Sequence, residues 1–187
     1  MEDLRYHEII DHLILEKLGS GEEITLRVSG KSMFPLMKQG DSIRIERCAP
    51  EVIGLGDIIT FKRAGTYYTH RLLCVVKRGD GIRLITKGDS EINTDPPVPP
   101  DQVLGRVAAI QKKNRTLYLK TPFWRFMNRL FGVFSLVETF CIQSYRSAAG
   151  RLLPVSILVR TTMKPSLFYR QIKNRGLHMA CFMLMDF

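Results

Sequence analysis

The stretch DIITFKRAGTYYTHRLLCVVK, residues 57–77, decides the fold. Its two halves, Asp57–Lys62 and Thr66–Lys77, are rich in β-branched and aromatic residues, which favour extended chain. The pair Ala64-Gly65 between them is a turn signal. The stretch therefore predicts two antiparallel strands joined by a tight turn, and a protein that is mainly β.

Further short strands are predicted on both sides of this hairpin. Turn signals such as Gln39-Gly40-Asp41 and Arg78-Gly79-Asp80-Gly81 separate them. Short strands at this spacing are typical of a β-sandwich or a partly open barrel. The loop SEINTDPPVPP, residues 90–100, interrupts the series, because proline cannot donate to a strand ladder. The additional strands are Ile24–Val28, Ser42–Arg47, Ile82–Lys87, Val103–Gln111 and Thr116–Leu119.

Helical patterns flank the β region. Apolar residues recur at near-helical spacing over Leu4–Leu18, and the glycines that follow end the run. Phe123–Arg146 is a second predicted helix and Ser166–Asn174 a short third one, whereas Pro154 leaves Gly150–Arg160 ambiguous. The chain is therefore divided into an N-terminal amphipathic helix (1–22), a β domain (23–121) and a basic, aromatic, helical extension (122–187).

Positive charge is concentrated in the C-terminal part of the chain. The net charge is +10, but residues 1–104 carry 14 Lys+Arg against 16 Asp+Glu, while residues 105–187 carry 14 against 2. Such asymmetry favours an anionic partner. Aromatic residues among the arginines suit a membrane interface better than the recognition of nucleic-acid bases. We therefore expect residues 123–175 to bind an anionic membrane surface, and we consider nucleic acid an unlikely partner. The alternatives are a solvated basic face and aromatic packing on the β core.

The sequence does not predict a membrane-spanning segment. The opening residues MEDLRYHEII are polar and acidic, unlike a secretory signal. The most apolar stretch, Phe126–Tyr145, is interrupted by polar and charged residues, so it reads as an amphipathic helix. We therefore expect a cytoplasmic protein that is at most peripheral at the membrane.

The cysteines predict neither a metal site nor a disulfide framework. They form no C-x-x-C pair and no cluster with histidine. We expect the protein to use no metal and no cofactor. The four cysteines are Cys48, Cys74, Cys141 and Cys181.

Ser32 is the candidate nucleophile. It lies in GKSMFP, residues 30–35, after a flexible glycine and ahead of a proline. This setting predicts an exposed hydroxyl at a strand-to-turn junction with backbone N–H groups nearby, which a nucleophilic serine needs. An ordinary turn serine can have the same local pattern, so the motif alone leaves both readings open.

His70 and two aspartates are the candidate partners of Ser32. An imidazole can act as a base near neutral pH, and a carboxylate can hold it in the required tautomer. Asp89 lies in KGD, residues 87–89, and Asp95 lies in the proline-rich loop. A strand histidine is commonly packed or exposed without function, and loop aspartates are common turn residues. His7, His12 and His178 receive only that structural reading.

The order of these motifs resembles the signal peptidase I family, in its Ser-His-Asp branch. GKSMFP is followed by GD, GDIITF, THR, KGD with a later aspartate, and GRV, so that the resemblance covers roughly Leu26 to Val107. It implies a mostly β fold with Ser32 as nucleophile and His70 as general base. It also implies that Asp95 is the acid of the triad and that Asp89 is the aspartate of the KGD motif.

The implied function is that of a serine endopeptidase that cleaves a leader or precursor peptide through an acyl-enzyme. The resemblance further implies that the Ser32 N–H contributes to the oxyanion hole. Two features depart from the family, which usually has an N-terminal transmembrane anchor and has no counterpart to the basic C-terminal segment. The alternative is a non-catalytic peptide-binding or regulatory module on the same fold, with a basic tail that binds membrane. Related self-cleaving repressors use lysine as base and carry a DNA-binding domain, for which residues 1–22 are too short.

Overall fold

The computed structural model describes residues 2–79 and 81–152. The chain divides into two units, Met1–Thr139 and Phe140–Phe187, and the first contains the whole sheet. The helices are α1 (Glu2–Gly19) and α2 (Pro122–Leu152), with short 3₁₀ turns at Pro50–Val52 and Pro100–Gln102. The strands are β1 (Ile24–Arg27), β2 (Ser42–Glu46), β3 (Ile58–Arg63), β4 (Thr66–Arg78), β5 (Gly81–Lys87), β6 (Val103–Gln111) and β7 (Thr116–Tyr118).

The seven strands form a single antiparallel sheet. The strand order is β1-β2-β6-β3-β4-β5, and β7 pairs with β6 beside that path. The sheet does not close on itself. The predicted mainly β class with flanking helices is confirmed, and the predicted strands are recovered with bounds that differ by at most one residue.

The β3–β4 hairpin sets the geometry of the sheet. Ala64 and Gly65 both have positive φ, 47° and 77°, which is the turn geometry that matches the twist of paired strands. The resulting register pairs Ile59 with His70. Because successive residues of a strand point to opposite faces, His70 and Arg71 lie on opposite sides of the sheet.

The His70 face of the sheet carries the main apolar core. A cluster of buried side chains includes Ile53, Ile59, Phe61, Leu72, Leu84 and Val98. Val98 belongs to the proline-rich loop, and its backbone exchanges two 2.8 Å hydrogen bonds with Leu84 of β5. Burial of Val98 and this bridge hold the loop against the sheet, although the loop forms no regular strand.

The opposite face of the sheet packs against the first half of α2. A Cβ atom at Gly56 would lie 2.2 Å from the Asn128 carbonyl oxygen, so the two backbones are in direct contact. Gly132 is equally restricted, because its Cβ would lie 2.9 Å from the Gly56 Cα. Only glycine permits this approach of helix to sheet.

The two predicted long helices are present and longer than expected. α1 extends the predicted Leu4–Leu18 segment at both ends, and α2 includes Gly150–Leu152, which the sequence left ambiguous. The predicted helix Ser166–Asn174 lies outside the described residues. Among residues 2–79 and 81–152, no helix combines the length and the apolar character needed to cross a bilayer.

Candidate active site

Ser32 lies in the turn that connects β1 to β2. The turn is closed at its base, where the Val28 N–H donates to the Asp41 carbonyl and the Gly40 N–H donates to the Val28 carbonyl, both at 2.8 Å. Within it, the Phe34 N–H donates to the Lys31 carbonyl at 3.0 Å. Ser32 remains partly exposed, while Met33 beside it is buried and anchors the turn in the core.

Ser32, His70 and Asp95 form a continuous row of hydrogen bonds. The distance from Ser32 Oγ to His70 Nε2 is 3.0 Å, and the distance from His70 Nδ1 to Asp95 Oδ2 is 2.7 Å. With an ionised carboxylate at Asp95, the tautomer that satisfies both contacts carries its proton on Nδ1. Nε2 is then an acceptor for the Ser32 hydroxyl proton, as a general base requires.

Asp95 is held as a carboxylate. Burial by itself would raise the pKa of Asp95, but hydrogen bonds from His70 and Thr86 and the nearby positive charge of Arg63 lower it below its ordinary value. The Thr86 hydroxyl donates to Asp95 Oδ2 at 2.7 Å, and the Asp95 N–H donates to the Thr86 carbonyl at 2.8 Å. Thr86 thereby fixes both the side chain and the backbone of Asp95.

The segment Gly88–Ser90 holds the backbone of Ser32. The Ser90 N–H donates to the Ser32 carbonyl at 2.8 Å, and the Ser90 hydroxyl lies 2.8 Å from the Lys31 carbonyl and 3.0 Å from that of Ser32. A Cβ at Gly88 would lie 2.8 Å from the Ser32 carbonyl oxygen and 2.9 Å from the Ser32 Cβ. The position therefore excludes any side chain, and Ser32 lies in direct contact with this segment.

Asp89 does not contact His70. Its two carboxylate oxygens each accept a 2.7 Å hydrogen bond from Arg71, one from Nε and one from an Nη nitrogen. Arg71 is fully buried and also donates to the Gly56 carbonyl and to the Asn128 side chain. The guanidinium is stacked on the ring of Phe131, 5.4 Å from its centroid. The pair thus ties the Gly88–Ser90 segment to β4 and α2.

His70 is enclosed by aromatic rings. Only 6% of His70 is exposed, and the Phe61 and Tyr68 rings each lie 6.1 Å from the imidazole centroid. Tyr68 is itself 39% exposed, so the aromatic side chains beside His70 extend to the protein surface. Ordered rings beside the imidazole restrict its rotation and keep Nε2 directed at Ser32.

The structure brings three of the four predicted site residues into contact and places Asp89 in a separate ion pair. Thr86, Ser90 and Arg71 were not singled out from the sequence, although each lies in or next to a motif that was. An arginine in an otherwise apolar strand is a signal that could have identified Arg71 as a buried partner. No local signal identifies Thr86 or Ser90, because their contacts depend on how the loops meet.

No family model matches the chain, and no curated protein matches it. Function is therefore inferred from the site itself.

Proposed function

We propose that the protein is a serine endopeptidase of the signal peptidase I type that cleaves a leader or precursor peptide. The observation that supports this most strongly is the row from Ser32 Oγ through His70 to Asp95, with both hydrogen bonds at 3.0 Å or less. A histidine with a purely structural role requires neither a carboxylate at one ring nitrogen nor a partly exposed serine at the other. The arrangement is the one that activates a serine for acyl transfer.

The proposed reaction begins with attack of Ser32 Oγ on a peptide carbonyl. His70 Nε2 takes the hydroxyl proton as the C–O bond forms, and Asp95 stabilises the resulting imidazolium through its bond to Nδ1. His70 then gives this proton to the leaving amine as the peptide bond breaks. Water, deprotonated by His70, releases the acyl group and restores the Ser32 hydroxyl. The Ser32 N–H is the proposed oxyanion donor, since it belongs to the same turn as the nucleophile.

In this proposal Asp89 is a positioning residue. Its carboxylate is occupied by Arg71, and its neighbours Gly88 and Ser90 contact the Ser32 backbone. The order of motifs from GKSMFP to GRV supports the assignment to the signal peptidase I type, because the motifs GKSMFP, THR and KGD with its later aspartate meet at the site. The proposed setting is the cytoplasm, where the substrate is a precursor peptide.

The test combines labelling with cleavage. The full-length chain is treated with a fluorophosphonate probe and, separately, incubated with a peptide library that is analysed by mass spectrometry. We expect labelling on Ser32 and cleavage at a restricted set of bonds, with both lost in Ser32→Ala. Ser29→Ala is the matched control, since Ser29 is an exposed serine of the same connection.

Cleavage by a folded Ser32→Ala protein would overturn the proposal. Peptide binding that persists in Ser32→Ala, with no labelling and no cleavage by the native chain, would show a non-catalytic binding module instead.

A further inference from the structure

Helix α2 buries polar residues against the sheet and exposes large apolar ones, unlike a typical helix on a protein core. The face in contact with the sheet buries Asn128, Ser135 and Gly132. Glu138 also points inward, where it accepts a hydrogen bond from the fully buried Lys87. A surface helix normally buries its apolar residues and exposes its polar ones.

Six apolar residues of α2 lie on its outer face. Phe126 is 65% exposed, Phe134 56% and Val137 55%. With Phe123, Leu130 and Val133, which are also exposed, they recur at helical spacing and form one stripe about 100° wide. We call these six residues the outer stripe of α2. A contiguous apolar stripe of this kind marks a surface that meets a nonpolar partner.

The exposed charged residues of α2 beside the outer stripe are arginines. Arg125 and Arg129 are exposed along one edge of it. Glu138 is the only acidic residue between Pro122 and Arg146, and it is engaged by Lys87. Apposition of two copies of this face would bring arginines against arginines without a compensating carboxylate. Apolar side chains flanked by cations instead match the interface of an anionic bilayer.

We propose that the outer stripe of α2 docks the protein on an anionic lipid bilayer, with the helix parallel to the surface. This goes beyond the sequence-based expectation because it identifies which side chains enter the interface and which face of the molecule they share. It does not depend on the proposed peptidase activity.

The docked orientation places the sheet between the bilayer and the candidate active site. Arg71 and Lys87 are paired across β4 and β5 and both contact α2. His70 and Thr86 are their neighbours in sequence, so they lie on the opposite face of the sheet. The site therefore opens away from the α2 face, toward the aqueous side.

Trp124 makes the contact measurable. It is the single tryptophan of the chain and lies at the start of α2. The full-length protein is mixed with vesicles of phosphatidylcholine alone or of phosphatidylcholine with phosphatidylserine, prepared with and without brominated acyl chains. We expect flotation and bromine quenching of Trp124 only with phosphatidylserine, and weakening of both as salt is added.

Two variants localise the binding. Phe126→Ser/Phe134→Ser should weaken binding at least about tenfold through lost apolar burial. Arg125→Gln/Arg129→Gln, which keeps the stripe, should weaken it about fivefold per arginine. Leu15→Ser is the matched control, because Leu15 is a 61% exposed apolar residue of the other helix, and it should bind like the native chain. Circular dichroism shows whether each variant is folded.

Several outcomes would overturn the proposal. These are no binding at low salt, binding that Phe126→Ser/Phe134→Ser leaves unchanged, and binding that resists alkaline extraction. A native chain that self-associates and becomes monomeric in Phe126→Ser/Phe134→Ser, with no vesicle binding, would assign the stripe to a second copy.

Discussion

At the scale of single residues, the two aspartates of the site have different partners. Asp95 accepts hydrogen bonds from His70 and Thr86, whereas both oxygens of Asp89 are bound by Arg71. Asp95 is thus placed to act on the imidazole, and Asp89 to neutralise a fully buried guanidinium. Substitution of Asp95 should therefore affect mainly kcat, and substitution of Asp89 mainly the free energy of unfolding.

We expect Asp95→Asn to reduce kcat by roughly 10⁴-fold, because an amide favours the wrong imidazole tautomer, and to cost less stability than Asp89→Asn. Asp89→Asn should instead lower the free energy of unfolding by about 3 kcal/mol, because it leaves Arg71 without its counter-charge. Peptide cleavage and urea unfolding of both variants separate the effects. Equal losses of kcat in the two variants, or a larger loss of kcat in a folded Asp89→Asn protein, would contradict this assignment of roles.

The lowered pKa of Asp95 predicts a pH dependence of stability. The ordinary carboxyl pKa is 3.8, and the folded protein holds it lower through His70, Thr86 and Arg63, against the effect of burial. The ionised carboxylate therefore contributes stability that is present above pH 3.8 and lost as pH falls through the folded pKa.

We accordingly expect the difference in free energy of unfolding between the native chain and Asp95→Asn to shrink as the pH falls below about 4. Urea unfolding over a series of acidic buffers measures it. A difference that grows toward acid would mean that the folded protein favours the protonated carboxyl.

At the scale of elements, polar side chains fasten α2 to the sheet. Arg71 reaches Asn128, and Lys87 reaches Glu138 and the Ser135 hydroxyl. Both cations are fully buried, so each needs its partner to offset desolvation. These polar contacts occupy much of the sheet side of α2, and the six residues of the outer stripe lie on the other side.

Removal of one member of the Lys87–Glu138 pair should be costly. We expect Glu138→Gln to lower the free energy of unfolding by about 3 kcal/mol, because Lys87 stays buried without a counter-charge. Lys87→Met/Glu138→Leu should recover most of this loss, since neither charge remains. Urea unfolding provides the measurement.

Glu16→Gln is the matched control for Glu138→Gln, because Glu16 is an exposed helical glutamate with only a 3.9 Å contact to His12. It should change stability by less than about 0.5 kcal/mol. A Glu138→Gln protein as stable as this control would show that the buried ion pair does not hold the helix.

At the scale of the whole molecule, the two proposed functional surfaces lie on opposite sides of the sheet. The candidate site and the apolar core lie on the His70 face, while α2 covers the other face and presents its outer stripe. In the two proposals, one face binds a peptide and the other an anionic surface.

This arrangement predicts that bound vesicles do not obstruct catalysis. We expect kcat/KM for a soluble peptide to be unchanged when phosphatidylserine vesicles are added in excess, because the site opens away from α2. Arg125→Gln/Arg129→Gln, which binds vesicles weakly, is the control for indirect effects of lipid. Inhibition of the native chain but not of this variant would mean that the site faces the bilayer.

The sequence by itself determined the strands, the hairpin and the three residues of the hydrogen-bonded row Ser32, His70 and Asp95. Each of these rests on short-range information: alternation of residue types, turn residues, and motifs in a fixed order. Ala64-Gly65 specifies its turn through backbone conformations that few residue pairs adopt, and this turn places His70 in register.

Only the tertiary structure decided the partner of Asp89, the support of Ser32 by Ser90, and the orientation of α2. Arg71 and Asn128 are 57 residues apart, and Ser90 and Ser32 are 58 apart. No local pattern encodes such contacts. The periodicity of α2 predicts an apolar stripe but not the side on which it lies, because that depends on whether the sheet offers apolar side chains or, as here, Arg71 and Lys87.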